Sequence, residues 1–508
     1  MDSEQEALQK NQPEFQNVES ALERSEAVSF KYQNCTLIAL FLCGLSIAAF
    51  GSLLSYQTIS PEMLCAPKND PKNFTSCNMV LACSSDYISK VDTQKSIVNW
   101  MVDYNLICSR SYISEVMSYI YFGGCILSAI IISPLADKFG RKAMLIAIML
   151  AYFLVTLKAI SSDDFISLIF VLIASGLFTG SYYNIAIMHI IESTSLHNRG
   201  WYASLLFSSA PIGGFIVAPL IGIYRDWKLV SAIISVSAFI LTISLAFTKN
   251  SPRYYIAKNE HEKATESIGD IIYWNSGNNE QIPFKKYELS NELDALLKQR
   301  DAEPYNFLEL FKYQTVSPVT YVMIICSFLF NNMYLGMVLN SETSILSSTY
   351  SAMISAASDF LSCIFAGYLL MKLDSRGTIV KLFHYLTCVL AVAMAFFGWI
   401  PVRYHAIAFV FNRFLSLVAL DAAYLFAIES FPTRIRGMGI GLCSVFANLG
   451  KLLAYLVTSM GHKYAYIFGV VGLVGFLTLD WLPEIKDMGK YPLSDDADEI
   501  EVQMSKKN

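Results

Sequence analysis

The hydrophobic positions of this chain lie in long runs that few polar residues interrupt. Clear examples cover residues 36–54, 143–157, 165–191 and 230–247. Each run is close to the ~20 residues that a helix needs to cross a hydrocarbon core. Such runs are typical of membrane helices, because the strands of a membrane barrel are shorter and alternate apolar with polar positions. The pattern therefore predicts an all-α, multi-pass integral membrane protein.

Twelve transmembrane helices are predicted, and the two near residues 358 and 447 contain more polar positions than the rest. Their centres lie near residues 45, 125, 152, 178, 212, 238, 327, 358, 390, 416, 447 and 471. Six spans lie on each side of a polar stretch at residues 249–315. Two halves with equal numbers of helices are typical of secondary transporters.

The predicted domains follow from this count of spans. They are a cytoplasmic N-terminal tail at 1–32, a six-helix bundle at 33–248 with a large outside loop at 56–113, a cytoplasmic linker at 249–315, a second six-helix bundle at 316–483 and a cytoplasmic C-terminal tail at 484–508. Because the first 32 residues are polar and rich in Glu, we expect a flexible tail and no signal peptide.

The orientation follows from the basic residues of the short loops. One alternating set of loops is richer in Lys and Arg, and it should face the cytoplasm together with both tails and the linker. The richer set holds Lys138, Arg141, Lys142, Arg199, Lys372, Arg376, Arg434 and Arg436, and the poorer set holds Lys158, Arg225, Lys228, Arg403 and Lys463.

Composition supports a membrane protein and gives no indication of an enzyme. The chain is 54% hydrophobic and 16% charged, whereas soluble domains are about a quarter charged. No basic run suggests nucleic acid, and the six histidines lack the spacing of metal ligands, so we expect no metal and no cofactor. The glycines at 437, 439 and 441 follow no strand and open a predicted membrane helix, where small residues favour close packing.

The outside loop contains four of the eleven cysteines, namely Cys65, Cys77, Cys83 and Cys108. An even number of cysteines in an extracellular segment suggests two disulfides, with three pairings open. The loop also contains Asn73, followed by Phe and Thr, as a candidate glycosylation site. These features favour the plasma membrane, although an organelle membrane stays open.

A charged turn between the second and third spans gives the strongest local signal. It reads Asp137, Lys138, Phe139, Gly140, Arg141 and Lys142. Gly140 permits a turn that would strain other residues. We expect Asp137 to lie against the positive N-terminus of a neighbouring helix, and Arg141 and Lys142 to bind carboxylates or lipid phosphate.

This turn resembles the signature of the major facilitator superfamily, and further motifs narrow the resemblance. They begin at Arg225, Ser251, Phe307, Glu429 and Leu482. Together with the cysteine-bearing loop, they are similar to solute carrier family 22, the transporters of organic cations, organic anions and carnitine. The resemblance covers about residues 33–490 and implies the major facilitator fold, with two six-helix bundles that move a small organic ion by alternating access. It also implies a gating network at one membrane face, formed here by Asp137, Gly140, Arg141, Lys142, Glu192, Arg199, Glu429, Arg434 and Arg436.

Candidate substrate residues are the polar and ionisable side chains inside the C-terminal spans, where such groups are costly and functional by default. They are Asn331, Asn332 and Tyr334 in span seven, Asp359 in span eight, Arg413 and Asp421 in span ten, and Asn448 and Lys451 in span eleven. Arg413 and Asp421 have an alternative role as structural partners of other helices.

The charge of the substrate depends on span eleven. In the resembling family, the position of Asn448 is commonly acidic in cation transporters and basic in anion transporters, so asparagine decides for neither. Lys451 would favour an anionic or zwitterionic substrate, unless Asp421 or Asp359 neutralises it.

Three features depart from the family pattern. The turn at 374–378 lacks the Gly-Arg-basic ending, span four lacks an arginine near its start, and span eleven lacks a proline. A transporter-like accessory or structural subunit therefore stays open as a second reading, with unknown partners in a membrane complex. A sugar porter is a third.

Overall fold

The structure is a computed structural model. It describes residues 18–68, 73–92, 95–108, 113–162, 164–258, 260–276, 307, 309–312, 316–341, 348–373, 375–396, 402–431, 435–459 and 474.

The described residues form eighteen helices and three short strands, numbered here in chain order. The first part contains α1 (Val18–Val28), α2 (Lys31–Gln57), β1 (Met63–Pro67), β2 (Thr75–Cys77), α3 (Met79–Ala82), β3 (Tyr87–Val91), α4 (Trp100–Asp103), α5 (Ile113–Phe139), α6 (Arg141–Ile160), α7 (Phe165–Glu192), α8 (Arg199–Phe207), α9 (Ser209–Tyr224) and α10 (Trp227–Ala246). The second part contains α11 (Pro252–Ala257), α12 (His261–Ser276), α13 (Glu309–Lys312), α14 (Val316–Ser341), α15 (Ser348–Lys372), α16 (Arg376–Phe396), α17 (Val402–Ser430) and α18 (Arg436–Ser459).

Eleven spans in this part of the chain are long and apolar enough to cross a membrane. They are α2, α5, α6, α7, α8 with α9, α10, and α14 to α18. Each contains one of the predicted centres, including the two polar spans near residues 358 and 447. The twelfth predicted span, near residue 471, lies outside the described residues, as do the tail at 484–508 and much of the linker.

Local sequence explains where several of these helices begin. The side chain of Asp164 accepts a hydrogen bond from the backbone N–H of Ser167 in the first turn of α7, and that of Asp226 accepts one from Lys228 in the first turn of α10. Gly140, between α5 and α6, has φ of 94°, a left-handed conformation that side chains with a Cβ rarely adopt. The charged turn predicted from the sequence is therefore a tight junction between two membrane helices.

The first and second halves of the chain pack along two seams, α5 against α18 and α8 with α9 against α15. Glycines permit the close approach in the first seam. A Cβ on Gly437 would lie 2.6 Å from the carbonyl oxygen of Ser133, and one on Gly441 would lie 2.5 Å from that of Ala129. These glycines therefore serve helix packing, as the sequence predicted.

The segment between α2 and α5 folds as a small sheet with strand order β2-β1-β3 and antiparallel pairing. Two disulfides join Cys65 to Cys77 and Cys83 to Cys108, which is one of the three pairings that the sequence left open. This end of the molecule is called the disulfide end below. The sequence did not predict the strands, because each is only three to five residues long.

The opposite end carries the turn at Gly140 and is called the charged end. The helix α1 packs there on α12, where Val18, Ala21 and Leu22 share a buried apolar cluster with residues of α12 and with Tyr32. The flexible tail expected for residues 1–32 thus contains an ordered helix at 18–28, because one face of that segment finds an apolar surface on the linker.

Candidate functional site

The charged end holds a buried network of ion pairs that connects the two halves. Glu192 of α7 accepts hydrogen bonds from Arg141 of α6 and from Arg436 of α18, both at 3.0 Å. Arg141 also pairs with Asp137 at 3.1 Å. All four side chains are almost fully buried. The two carboxylates balance the two guanidinium groups, so the buried network has no net charge.

Asp137 also contacts the beginning of α18. The backbone N–H of Met438, in the first turn of that helix, donates to Asp137 Oδ2 at 3.2 Å. The first amides of a helix have no partner inside the helix, and they carry its positive end. Asp137 therefore holds the N-terminus of α18, as the sequence predicted.

The linker covers the same turn with an aromatic ring. Tyr254 of α11 lies over the guanidinium of Arg141 at 5.2 Å, and its hydroxyl donates to the carbonyl of Lys138 at 3.1 Å. A Cβ on Gly140 would lie 3.3 Å from that ring. Lys142 donates instead to the carbonyl of Ala246 at the end of α10, at 2.8 Å. Contacts with α10 and α11 thus hold the turn in place.

Other predicted gating residues have different partners. Glu429 pairs with Arg376 at 2.6 Å, and Arg376 also donates to the carbonyl of Leu196 at 3.2 Å. This second contact links α16 to the loop between α7 and α8. Arg199 pairs with Glu19 of α1 at 2.9 Å. Arg434 lies outside the described residues.

Two glutamates attach α1 to the charged end. Glu26 accepts from the backbone N–H of Ser195 at 2.7 Å and from Asn198 at 2.8 Å, and Glu19 pairs with both Arg199 and Arg253. Burial raises the pKa of Glu26. Burial also acts to raise the pKa of Glu19, but the two arginines outweigh it and hold that pKa below its ordinary value. Glu19 is therefore a charged tether at neutral pH.

We expect Glu19→Gln to loosen α1, because the fully buried Arg199 then loses its carboxylate partner in the described part of the chain. Hydrogen bonds to charged groups contribute ~1.5–3 kcal/mol, and the lower end applies because Glu19 is partly exposed. Trypsin cleavage at the exposed Arg24 of α1 measures this local opening, and cleavage should become about tenfold faster.

Glu23→Gln is the matched control, because Glu23 is exposed on the same helix. It removes the same charge and should leave the cleavage rate unchanged. Equal rates for the two variants would show that the contacts of Glu19 do not hold α1 in place.

Three of the predicted substrate residues meet in the interior of the second half. Arg413 of α17 donates to both carboxylate oxygens of Asp359 of α15, at 2.8 and 2.5 Å. Tyr334 of α14 donates its hydroxyl to the same carboxylate at 2.9 Å, and its ring lies 5.7 Å from the Arg413 guanidinium. A bidentate pair with an aromatic face is a strong, directional arrangement. These side chains are called the central triad.

Asp421 does not belong to the central triad. It lies eight residues beyond Arg413, about 12 Å along α17, and is 2% exposed. Neither of its carboxylate oxygens has a hydrogen-bond partner among the described residues. The structural pairing that the sequence left open for Asp421 is not found among the described helices.

The three predicted asparagines bind helix carbonyls. Asn331 donates to Ser327, and Asn448 donates to Ser444, each within its own helix. Asn332 donates to the carbonyl of Gly450 at 2.9 Å, which ties α14 to α18. Amide donors satisfied in this way contribute to packing.

Lys451 points toward the first half of the chain. Its ammonium lies 5.9 Å from the centre of the Phe122 ring of α5. The Tyr455 ring lies beside Phe122, and the Tyr119 ring lies edge-on to Tyr455. Among the described residues, no carboxylate pairs with it, so neither Asp359 nor Asp421 neutralises it. We call Lys451 with these three rings the aromatic subsite.

A junction between the halves was missed by the sequence reasoning. Asn184 of α7 accepts from the hydroxyl of Tyr424 at 2.6 Å and from that of Ser444 at 3.1 Å, and it donates to Ser133 at 3.3 Å. Its amide is thus satisfied from both halves. The available signal was a single Asn inside the apolar run at 165–191.

The two halves of this helical membrane protein meet at the charged end. Polar groups lie between the halves and also inside the second half. This arrangement defines a membrane protein of the transporter class. The model of the Major Facilitator Superfamily matches residues 36–455. The chain belongs to this superfamily, as its sequence motifs predicted. Its members are transport proteins, which agrees with the expectation that the chain is not an enzyme.

Relatives of the chain include members of solute carrier family 22. Solute carrier family 22 member 6-A of Xenopus laevis is 23% identical over 79% of this chain and 72% of the relative. Solute carrier family 22 member 2 of Rattus norvegicus is 22% identical over 80% and 73%. The organic cation transporter-like protein of Drosophila melanogaster is 23% identical over 80% and 74%.

Solved structures show the fold. A structure of the proton:xylose symporter XylE with 6-bromo-6-deoxy-D-glucose covers 89% of this chain and 96% of its own, with a TM-score of 0.63 and 15% identity. A partially occluded inward open form of XylE from E. coli gives a TM-score of 0.55 at 13% identity. At this identity the likeness confirms the major facilitator fold and carries no information about substrate.

Proposed function

We propose that this chain moves a small organic ion across its membrane by alternating access and without ATP. The proposal rests on its superfamily membership, its likeness to solute carrier family 22, and the polar groups inside its bundle. The central triad and Lys451 lie well inside membrane-spanning helices. Ionisable groups are costly there, and they usually serve transport or pair with one another. Asn331, Asn332, Tyr334, Asp359, Arg413, Asn448 and Lys451 are the candidate substrate residues.

The substrate that we propose is an organic anion or a zwitterion. The observation that carries this proposal is the aromatic subsite, in which an ammonium without a carboxylate partner in the described chain faces the Phe122 ring, next to Tyr455 and Tyr119. An anionic group would pair with Lys451, and an organic body would stack on the rings. Asp359 does not oppose this charge, because Arg413 already neutralises it.

The charged end would act as the gate. Its network joins α5, α6 and α7 to α18, and Arg376 joins α16 to the loop before α8, so access from that end requires these pairs to separate. Ion pairs that break and re-form can balance two conformers within a few kcal/mol. Gly140 and Lys142 would hold the turn, and Asp137, Arg141, Glu192 and Arg436 would form the lock.

The orientation remains the one that the loop charges predict, with the charged end in the cytoplasm. The disulfide end would then face outside, where disulfides persist, and Asn73 is exposed there as a glycosylation candidate. The plasma membrane is the location that we propose.

Uptake into proteoliposomes tests the function. The purified full chain would be reconstituted and offered labelled hippurate as an anion, betaine as a zwitterion, tetraethylammonium as a cation and xylose as a sugar. Uptake of hippurate or betaine, above that of empty vesicles, is expected. If no probe is moved and none raises the thermal stability of the protein, the chain is better described as an accessory subunit. Uptake of xylose alone would favour a sugar porter.

The charge of the substrate is tested by Asn448→Asp combined with Lys451→Gly. Both residues lie on α18, and the double variant replaces a cation by an anion on the helix that faces α5. We expect the ratio of hippurate to tetraethylammonium uptake to fall about tenfold or more, because one charge-assisted contact contributes ~1.5–3 kcal/mol. Lys158→Gly, at an exposed lysine in α6, is the control. An unchanged ratio in the double variant would exclude these positions from charge selection.

A further inference from the structure

The side chain of Asp421 is the strongest unexplained feature of the interior. It lies in the middle part of α17, nine residues before the helix ends at Ser430, and is 2% exposed. Both carboxylate oxygens lack a hydrogen-bond partner among the described residues. Packing does not require a carboxylate at this position, and an asparagine or leucine of similar size would avoid its cost.

Neighbouring groups do not neutralise Asp421. The thiol of Cys363 and the carboxylate of Asp359, both on α15, are the titratable groups that act on it. The thiol is a weak donor, and the carboxylate repels a second negative charge. Arg413 is the nearest cation on the same helix, and it already pairs with Asp359 and contacts the Tyr334 ring.

Other titratable groups on the helices packed against α17 do not act on Asp421. Several of them have partners elsewhere: Tyr334 with Asp359, His384 with Cys388, Arg376 with Glu429, Arg199 with Glu19, Arg436 with Glu192, and Lys451 with the Phe122 ring. In the described part of the chain, Arg413 therefore neutralises Asp359, and no cation pairs with Asp421.

The missing positive charge can be a proton or a metal cation. A hard cation needs about six oxygen ligands, whereas the polar neighbours of Asp421 on α15 are one thiol and one carboxylate already bound to Arg413. A proton needs only the carboxylate itself. The surroundings therefore favour a proton.

Substrate binding would change the affinity of Asp421 for a proton. An anionic group that reaches Arg413 competes with Asp359 for the guanidinium, and the two carboxylates are then left without a cation. A proton on Asp421 removes one of the two negative charges, so the proton and the anion stabilise each other's binding. Coupling of this kind is reciprocal, because each ligand raises the affinity for the other.

We propose that Asp421 binds the proton that is carried together with the organic anion. This inference rests on the transport function proposed above and names its coupling ion. No covalent step is involved, because the carboxyl group takes up one proton on one side of the membrane and releases it on the other.

Proton binding is tested first without any substrate. Infrared difference spectra of the wild-type protein and Asp421→Asn, recorded across a pH titration, report the protonated carboxyl group directly. We expect a carboxylic acid band in the wild type at neutral pH that the variant lacks. Asp421→Glu should retain such a band, which controls for a folding defect of the asparagine variant. If Asp421 is ionised at neutral pH, the inference is overturned.

Coupling is tested in proteoliposomes with labelled hippurate, or with betaine if that is the probe transported. An inward proton gradient of one unit should raise the accumulation of the probe in the wild type by up to about tenfold, the limit for one proton per substrate. Asp421→Asn should lose this accumulation, and its exchange of internal for external probe should no longer depend on pH. Asp421→Glu should retain both.

The outcomes separate the two proposals. Transport by the wild type without any effect of the gradient would overturn proton coupling while leaving the transporter function in place. Absence of transport for every probe would overturn the transporter function, and the infrared titration would still decide whether Asp421 holds a proton.

Discussion

Glu192→Gln should open the charged end and reverse the balance between the conformers that are closed and open at that end. Glu192 Oε1 binds Arg141 from the first half and Arg436 from the second, and all three side chains are at most 2% exposed. A glutamine still accepts a hydrogen bond but leaves a buried positive charge uncompensated. Removing one member of a buried pair costs ~3–5 kcal/mol, which shifts a two-state equilibrium by on the order of 10²–10³-fold.

Ser133→Cys, in a chain whose exposed Cys35 is replaced by serine, measures this opening. Ser133 is fully buried in the seam of α5 with α7 and α18, and a cysteine there has nearly the size of serine. Labelling by a membrane-impermeant maleimide from the charged end should accelerate by at least about 100-fold with Glu192→Gln. Glu266→Gln is the control, since Glu266 is exposed on α12. A labelling rate that stays at the control value would mean that Glu192 does not keep the halves together.

Asp137→Asn should act in the same direction with a smaller effect. Asn can still accept the hydrogen bond from the backbone N–H of Met438, and Arg141 keeps its pair with Glu192. The difference between the two variants separates the charge at the centre of the network from the capping of α18.

The sequence predicted the helices because each span carries its own signal. Apolar runs and the turn at Gly140 need no partner to be recognised, and even the polar spans near 358 and 447 formed α15 and α18. The sequence also predicted that Asp137 would lie against a helix N-terminus, but not that this helix is α18, 301 residues later in the chain. The short strands of the disulfide end carried too few residues for a periodic pattern.

The partners of the charged residues were not predictable in the same way. Arg199 was expected in the gating group, but its carboxylate partner is Glu19, which lies 180 residues earlier in a segment expected to be flexible. Among the substrate candidates, the sequence left open whether Asp359 or Asp421 neutralises Lys451, and the structure shows it facing the Phe122 ring of α5. Pairings between distant segments depend on how the helices rotate and pack, and a single sequence does not encode that in a local pattern.

Asp359→Asn should destabilise the whole second half, because Arg413 would keep its charge at 8% exposure without its bidentate partner. The expected loss is ~3–5 kcal/mol for the carboxylate, with a smaller part from the hydroxyl of Tyr334, which would then donate to a neutral amide. Thermal unfolding of the purified protein in detergent measures the effect. Asp270→Asn is the control, because it removes a partly exposed carboxylate on the surface helix α12 and should cost little.

The double variant Asp359→Asn with Arg413→Gln then distinguishes a structural pair from a binding pair. Removing both charges should restore most of the stability, because a buried ion pair is worth little net against neutral side chains. If the pair only supports the fold, uptake of the transported probe returns together with stability. We expect stability to return while uptake stays at least about tenfold below the wild type, because Arg413 is, besides Lys451, a cation that a substrate anion would reach. Recovery of both would place the central triad among the packing interactions and leave the aromatic subsite as the candidate for substrate binding.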